Sequence, residues 1–386
     1  MNKLKFPKNF LFGSATSAHQ IEGHLYNDWA RWEKTPGHIS DGTTSETGAD
    51  SWNKWREDIQ LLKNTSQNAY RFSVEWSRIE PKEGVFDKDA ILHYDQIINE
   101  LAKNNITPMV TLFHFTCPLW LDDIGGVTNR KFTQYFARFA GRMAKEFGDK
   151  VELWSVINEP SVYVNAGYII GHWYPGKRNV IGGVKAFFHL VSAHKQAYTS
   201  MKKANPRVKV GIAMNMTAFE PVKNTWCNLT LTRIAKWLVN EYSINLVHKN
   251  LDFLGINHYM SHKIQCKKPI MFDEGGVKSE YGWSVHPRGL YQVIMEAKHW
   301  NLPMYITENG TADSSDKLRQ TFIPNFLEKC SEAIADGADL RGYFHWSLID
   351  NFEWASGYSM KFGLHTIDRK PRKSAEIYKK IIDSSK

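Results

Sequence analysis

Short runs of apolar and β-branched residues recur along the chain, and between them the apolar positions fall at the three-to-four-residue spacing of amphipathic helices. Eight such runs predict strands at 10–19, 69–76, 108–115, 151–157, 208–214, 251–257, 303–307 and 340–348. The stretches between them predict helices at 52–64, 88–104, 129–147, 182–204, 229–249, 287–300 and 316–336, with a last one at 374–383. Asn205-Pro206 and Asp336-Gly337 serve as stop signals. Strands that alternate with helices pair in parallel, because each helix carries the chain back to the same edge of the sheet. Eight strand–helix units imply closure into a ring. The expected fold class is therefore α/β, a single-domain (β/α)8 barrel over residues 1–386, since no linker, composition shift or fixed repeat divides the chain.

Composition removes several other classes. Hydrophobic residues are 42% and charged residues 23%, so a large packed core is available and disorder is excluded. Mean hydropathy is −0.45. The uncharged stretch from Ile106 to Leu121 is broken by Pro108, His114 and Pro118, so no apolar span crosses a membrane and no membrane partner is expected. The net charge of +9 is spread along helical stretches without a nucleic-acid signature, and no nucleic acid partner is expected. Cys117, Cys227, Cys266 and Cys330 lie far apart without a C-x-x-C pair, which suggests neither a zinc knuckle nor a disulfide framework and fits a reducing cytosol. Lysines at 3, 5 and 8 are followed by no apolar h-region, so no signal peptide is expected and the location expected is cytoplasmic.

In such a barrel the chemistry sits on loops at the C-terminal ends of the strands, built from residues of several strands. Polar residues gather there. Gln20 ends the first run, Arg71 and Glu75 lie in the second, and His114 ends the third. Asn158-Glu159, Asn257-His258-Tyr259 and Glu308-Asn309 end the fourth, sixth and seventh, and Asp350 to Trp354 follow the eighth. The chain carries 14 Trp, 16 Tyr and 21 Phe, and those near strand ends, such as Trp346 and Trp354, offer flat faces to the apolar side of a ligand.

Glu159 in W-S-V-I-N-E-P and Glu308 in Y-I-T-E-N-G stand out as a pair that can face each other across the barrel mouth. Cleavage of a glycosidic bond needs two such carboxyl groups, one to protonate the departing oxygen and one to attack the anomeric carbon or activate water. His19, His114, His258 and His345 near strand ends raise metal-dependent hydrolysis as an alternative. No H-x-H or H-E-x-x-H occurs, and period-2 alternation turns His258 and His345 toward the helices, so no metal or other cofactor is expected.

The segments F-L-F-G-S-A-T-S-A-H-Q-I-E-G (10–23), Y-R-F-S-V-E-W-S-R-I-E-P (70–81), T-L-F-H-F-T-C-P-L-W (111–120), W-S-V-I-N-E-P (154–160), L-D-F-L-G-I-N-H-Y (251–259), Y-I-T-E-N-G (305–310) and G-Y-F-H-W-S-L-I-D-N-F-E-W (342–354) together resemble the retaining β-glucosidases of glycoside hydrolase family 1. The resemblance runs nearly end to end. It implies Glu308 as nucleophile and Glu159 as acid/base, with Arg71, Tyr259 and Asn257 assisting, Arg71 as the cation beside Glu308. It further implies Gln20, His114, Asn158, Glu353 and Trp354 as hydroxyl-binding positions, Trp346 as the stacking platform, Trp120 and Trp283 as aglycone contacts at the mouth, and Phe362 within the substrate-binding set. Asn158 would hold the 2-hydroxyl. Glu22 is expected to be structural.

Relatives that cleave 6-phosphorylated glycosides carry a lysine and other phosphate-holding groups where this chain has F-E-W, and Glu353 would repel a phosphate. Neutral β-glucosides or short β-linked oligosaccharides are therefore the expected small-molecule partners, with tolerance for β-galactosides or β-fucosides. The chain is also shorter than most of the family, notably between about 215 and 250, which implies a more open mouth and broad aglycone tolerance. A non-catalytic sugar-binding protein on the same barrel and a transglycosylase using the same intermediate are the alternative readings.

Overall fold

The computed structural model describes residues 4–273 and 275–385. Eleven strands occur among them: β1 (Leu11–Ala15), β2 (Ala69–Ser73), β3 (Thr107–Phe113), β4 (Leu153–Asn158), β5 (Lys209–Asn215), β6 (Ala218–Pro221), β7 (Phe253–Asn257), β8 (Ser261–Ile264), β9 (Met271–Asp273), β10 (Met304–Asn309) and β11 (Leu340–Trp346). Eight of them close a barrel in the order β1-β11-β10-β7-β5-β4-β3-β2. Every pairing within the barrel is parallel. The expected (β/α)8 barrel is thus present, and each expected strand contributes one stave.

The helices between staves begin where their sequences supply caps. Asp87 accepts from the backbone N–H groups of Asp89 and Ala90 to start Lys88–Lys103, Asn179 caps Val180–Ala204, and Pro287 opens Pro287–Ala297. Ser51–Asn64, Phe132–Phe147, Arg319–Ala335 and Lys373–Ser385, with Trp226–Lys236 and Tyr242–Val247 as a broken helix between β5 and β7, complete the outer ring.

Period-2 alternation divides the core into two layers. Tyr70, Phe72, Val110, Trp154, Val156, Leu254 and Ile306 pack outward against the helices. Ala69, Met109, Leu153, Phe253, Phe344 and Trp346 pack with one another inside. Two large rings fit inside only because glycine stands opposite: a Cβ on Gly211 would lie 2.4 Å from the Phe253 ring, and one on Gly13 2.7 Å from that of Phe344. Emptying this layer by Phe253→Ala would cost about 3–5 kcal/mol.

Three features differ from the sequence expectation. The first run stops as a strand at Ala15, and Ala18–Ile21 turns into a short helix whose first N–H is accepted by Ser73 Oγ at 2.7 Å. Gln20 therefore sits on a helical turn above the strand end. The loops after β5 and β7 form an unexpected sheet, β6-β8-β9, whose strands of four, four and three residues are too short to show a period. Finally, Cys227 and Cys266 are joined in a disulfide, with Cα atoms 6.1 Å apart, which corrects the expectation of unpaired cysteines. That pairing is a tertiary event: it ties the start of the Trp226–Lys236 helix to the turn between β8 and β9 across 39 residues. Cys117 and Cys330 are free and buried. Among the described residues, no helix is long and apolar enough to cross a membrane.

Candidate active site

The C-terminal ends of the staves converge on a cavity of about 200 Å³. Glu308 enters from β10 and is held on both oxygens. Arg71 of β2 donates from Nη1 to Glu308 Oε1 at 2.5 Å, and the Tyr259 hydroxyl donates to Oε2 at 2.9 Å. Arg71 is itself 1% exposed. A cation so buried needs every donor satisfied. Nε meets Thr111 Oγ1 at 3.2 Å, Nη1 also meets the Thr307 carbonyl at 3.1 Å, and Nη2 meets Asn158 Oδ1 at 2.6 Å. Asn257 donates to the same Asn158 oxygen at 3.1 Å and accepts from Thr307 Oγ1 at 2.6 Å. Two donors on Asn158 Oδ1 leave its amide N–H₂ directed into the cavity that it lines.

Glu159 follows β4 and is held more loosely. Asn215 at the end of β5 donates to its Oε1 at 3.3 Å, and Asn158 Nδ2 lies 3.5 Å from Oε2. No cation pairs with it among the described residues. The consequence is that the two protons are held unequally. Burial pushes both carboxyls above the usual range. At Glu308 the Arg71 charge and the Tyr259 and Arg71 hydrogen bonds oppose that push. At Glu159 burial is joined by the nearby charge of Glu308, and its carboxyl is raised to about 8. Burial and the charge of Glu308 likewise raise Glu353 to about 8. Burial, then the charge of Glu308, keeps the Tyr259 phenol well above its usual range, so it remains a donor.

Gln20 lies beneath Glu353, with its amide nitrogen 3.2 Å from Oε2 and 2.9 Å from the Phe352 carbonyl. Trp346, His114 and Trp354 form a parallel series, His114 stacking at 5.9 Å on one indole and 6.0 Å on the other. Burial, and then the charge of Arg71, holds His114 well below its usual pKa, hence neutral. Backbone strain collects here: Phe115, Glu159 and Trp354 have φ of +73°, +41° and +49°. Such angles cost non-glycine residues energy and persist where surroundings enforce them.

Of the residues singled out from sequence, His114, Asn158, Glu159, Tyr259, Trp283, Glu308, Trp346, Glu353, Trp354 and Phe362 line the cavity. Arg71, Asn257 and Gln20 stand directly behind that wall. Trp120 requires correction. Its indole N–H donates to the Glu80 carbonyl at 2.8 Å and its ring meets Trp76 and Tyr135 edge-on, because the turn opened by Pro118 directs it toward the Phe132–Phe147 helix. It does not appear in the cavity wall. Glu22 pairs with Arg78 at 2.8 Å and accepts from Tyr94 at 2.6 Å, a structural role. His258 and His345 face Phe326 and Tyr378 of the helical layer. Among the described residues no group of three or more His, Cys, Asp or Glu is arranged to hold a metal ion.

Eight wall residues escaped the sequence reading: Phe115, Val162, His172, Trp173, Asn215, Met260, Tyr281 and Ser356. Asn215 had a signal, since it ends the fifth run as Asn158 ends the fourth. Tyr281 stacks on Trp283 at 4.5 Å and 7°, but both lie in a loop without periodicity.

Two matches to the family model described as Glycosyl hydrolase family 1 cover residues 2–240 and 227–386. The chain is 32% identical over 425 residues to β-glucosidase A of Thermotoga maritima, covering 97% of this chain and 95% of that protein. It is 30% identical to β-glucosidase A of Acetivibrio thermocellus, covering all of both chains. Among solved structures, the β-glucosidase from Thermotoga maritima in complex with glucoimidazole superposes with a TM-score of 0.93 at 29% identity, over 99% of each chain.

Proposed function

The chain belongs to glycosyl hydrolase family 1, and from that premise we propose that it is a retaining β-glucosidase. Its substrates are small β-glycosides and short β-linked oligosaccharides, from which it releases the terminal non-reducing β-D-glucosyl residue. The observation that carries this reading is the pair of unequal carboxyls in one cavity, Glu308 clamped by Arg71 and Tyr259, and Glu159 raised to about 8.

In the first step a Glu308 oxygen bonds to the anomeric carbon while the bond to the leaving oxygen breaks, and that oxygen takes the proton of Glu159. Forming the ester removes the negative charge of Glu308, the second-largest cause of the raised pKa of Glu159. Glu159 thus becomes the stronger acid just when it must stay ionised, and it then accepts a proton from the water that attacks the anomeric carbon. Tyr259 and Arg71 receive the carboxylate when the ester bond breaks. Asn158 holds the 2-hydroxyl, Trp346 lies against the sugar ring, and Glu353, held from beneath by Gln20, binds the remaining hydroxyls with His114. Since Glu353 can meet a 4- or a 6-hydroxyl, β-fucosides and β-galactosides are also turned over. Trp283, Tyr281 and Phe362 contact the aglycone.

The test is the initial rate of aglycone release from aryl β-D-glucoside, fucoside, galactoside, mannoside and 6-phosphoglucoside, with Glu308→Gln beside the wild type. Fastest release from glucoside or fucoside, abolished in the variant, is the expected result. No release from any of them by folded protein that still binds glucose analogues would overturn the catalytic reading in favour of a sugar-binding protein.

A further inference from the structure

The segment from 226 to 241 is inside out. A surface helix ordinarily buries its apolar stripe and offers polar residues to water. Here Asn228, Thr232 and Asn240 are buried. Asn228 accepts from the Cys266 backbone N–H at 2.9 Å, and Asn240 is bonded to the Thr217 backbone in both directions. The outward side carries Trp226, Leu229, Ile234, Trp237, Leu238 and Val239, with Trp226 82% exposed. The Cys227–Cys266 disulfide brings Ile270 and Met271, each about half exposed, to the same end. At the other end, ring contacts from Trp237 to Tyr242, Tyr242 to Phe187 and Phe187 to Phe188 join this face to exposed Ile181 and Val184 on the Val180–Ala204 helix. Apolar surface of this extent is ordinarily covered in use.

Its charge indicates by what. Between 221 and 241 the only acidic residue is Glu241, and between 261 and 272 there is none. Lys223, Arg233, Lys267 and Lys268 are exposed around the apolar residues, with Lys185 on the neighbouring helix. A second copy docked about a two-fold axis would set these cations against their own equivalents. An anionic bilayer surface would meet them with opposite charge, while tryptophans and aliphatic side chains enter the boundary between headgroups and acyl chains. The geometry points to this face as a peripheral membrane-binding surface for anionic lipid, with Trp226, Trp237, Leu238 and Met271 inserting and Lys223, Arg233, Lys267 and Lys268 lying over lipid phosphates. Lying on a bilayer requires no spanning helix.

Flotation of the full chain with vesicles tests it. With mixed phosphatidylglycerol and phosphatidylcholine vesicles, at least about tenfold more protein should float than with phosphatidylcholine alone, and added salt should reverse the difference. Trp226→Glu combined with Leu238→Glu should abolish flotation, and charge reversal at Arg233, Lys267 and Lys268 should remove the preference for anionic lipid. Both variants should keep the wild-type melting temperature and the wild-type rate on a water-soluble aryl glycoside, if the proposed activity holds. No flotation with anionic vesicles at low salt, or flotation unaffected by the paired glutamate variant, overturns the proposal. So does a dimer in solution that the same variant dissociates without any vesicle binding, which would assign the face to a second copy.

Discussion

Glu308 and Glu159 occupy corresponding places at the ends of β10 and β4, both buried, yet one is gripped and the other is propped. Glu308 has a buried guanidinium on one oxygen and a phenol on the other. Glu159 has two side-chain amides at 3.3 and 3.5 Å. Two identical side chains thus hold their protons unequally, because a group is driven neutral by burial except as far as opposite charge or donors compensate. The arrangement also couples them, since the charge of Glu308 helps to keep the proton on Glu159.

The largest expected effect comes from removing the gripped member. Glu308→Gln keeps the shape and loses the proposed nucleophile, so kcat should fall by on the order of 10⁴-fold or more, the scale seen when a covalent nucleophile is deleted. Titration of Glu159 in this variant, followed by carboxyl infrared absorption, should show its pKa below that in the wild type. An unchanged value would break the proposed coupling.

Removing the propped member should cost less and in a manner that depends on the substrate. Glu159→Ala should lower kcat/KM by about 10²- to 10⁴-fold for glycosides with poor leaving groups, and far less for activated aryl glycosides that need no proton. Its alkaline limb should vanish from the pH profile. Equal losses for both substrate types would show that Glu159 is not the acid.

How much of this was legible beforehand follows from the length scale of each signal. Eight staves and their helices repeat over the whole chain, so their periodicity survives local irregularity, and the strand-end rule led directly to Glu159, Glu308 and Arg71. It failed where structure is made by single contacts. Gln20 reads as the end of an extended run because nothing in T-S-A-H-Q announces that Ser73 accepts from Ala18 and starts a helical turn. Trp120 reads like a mouth tryptophan until the turn after Pro118 directs it to Glu80. Cys227 and Cys266 meet only because β8 pairs with β6, a register that four-residue strands do not reveal. The inverted face of 226–241 was missed because the pattern shows that a helix is amphipathic, without showing which side is inward.

A third test weakens the grip without removing Glu308. Tyr259→Phe deletes one donor to a charged carboxylate, an interaction worth about 1.5–3 kcal/mol, so kcat/KM should drop about ten- to a hundredfold. The acid limb, set by protonation of Glu308, should move to higher pH because the donor favoured its ionised form. A loss of rate with a stationary acid limb would mean that Tyr259 positions substrate instead.

The pH dependence of the wild type sharpens the comparison further. The kcat/KM profile should fall on its alkaline side near 8, where Glu159 loses its proton. Stability should follow the same groups. Glu159 and Glu353 have folded-state values of about 8 against an unfolded reference of 4.5, so between those values the folded protein keeps protons that the unfolded chain has released. Stability must therefore decline as pH rises through that window and level off above it. Melting temperatures measured from pH 5 to 9, with Glu353→Gln as the comparison, should show part of this decline removed in the variant.

The smallest effect tests the prop itself. Asn215 lines the cavity and aims its amide nitrogen at Glu159 Oε1, while its carbonyl oxygen lies 3.5 Å from the Thr217 hydroxyl that can donate to it. A donor to a carboxylate favours the ionised form, so this contact pulls against the burial that raises Glu159. Asn215→Ala should therefore push the acid further up and carry the alkaline limb with it. A hydrogen bond of about 0.5–1.5 kcal/mol net corresponds to a displacement of at most about one pH unit. Turnover of activated substrates should slow more than kcat/KM, because the proposed hydrolysis of the glycosyl-enzyme needs Glu159 ionised. Asn215→Asp should act in the same direction and more strongly, since it replaces a donor with a second negative charge. A limb that stays in place in both variants would leave Glu159 governed by burial and Glu308 alone, and Asn215 would then be only part of the wall.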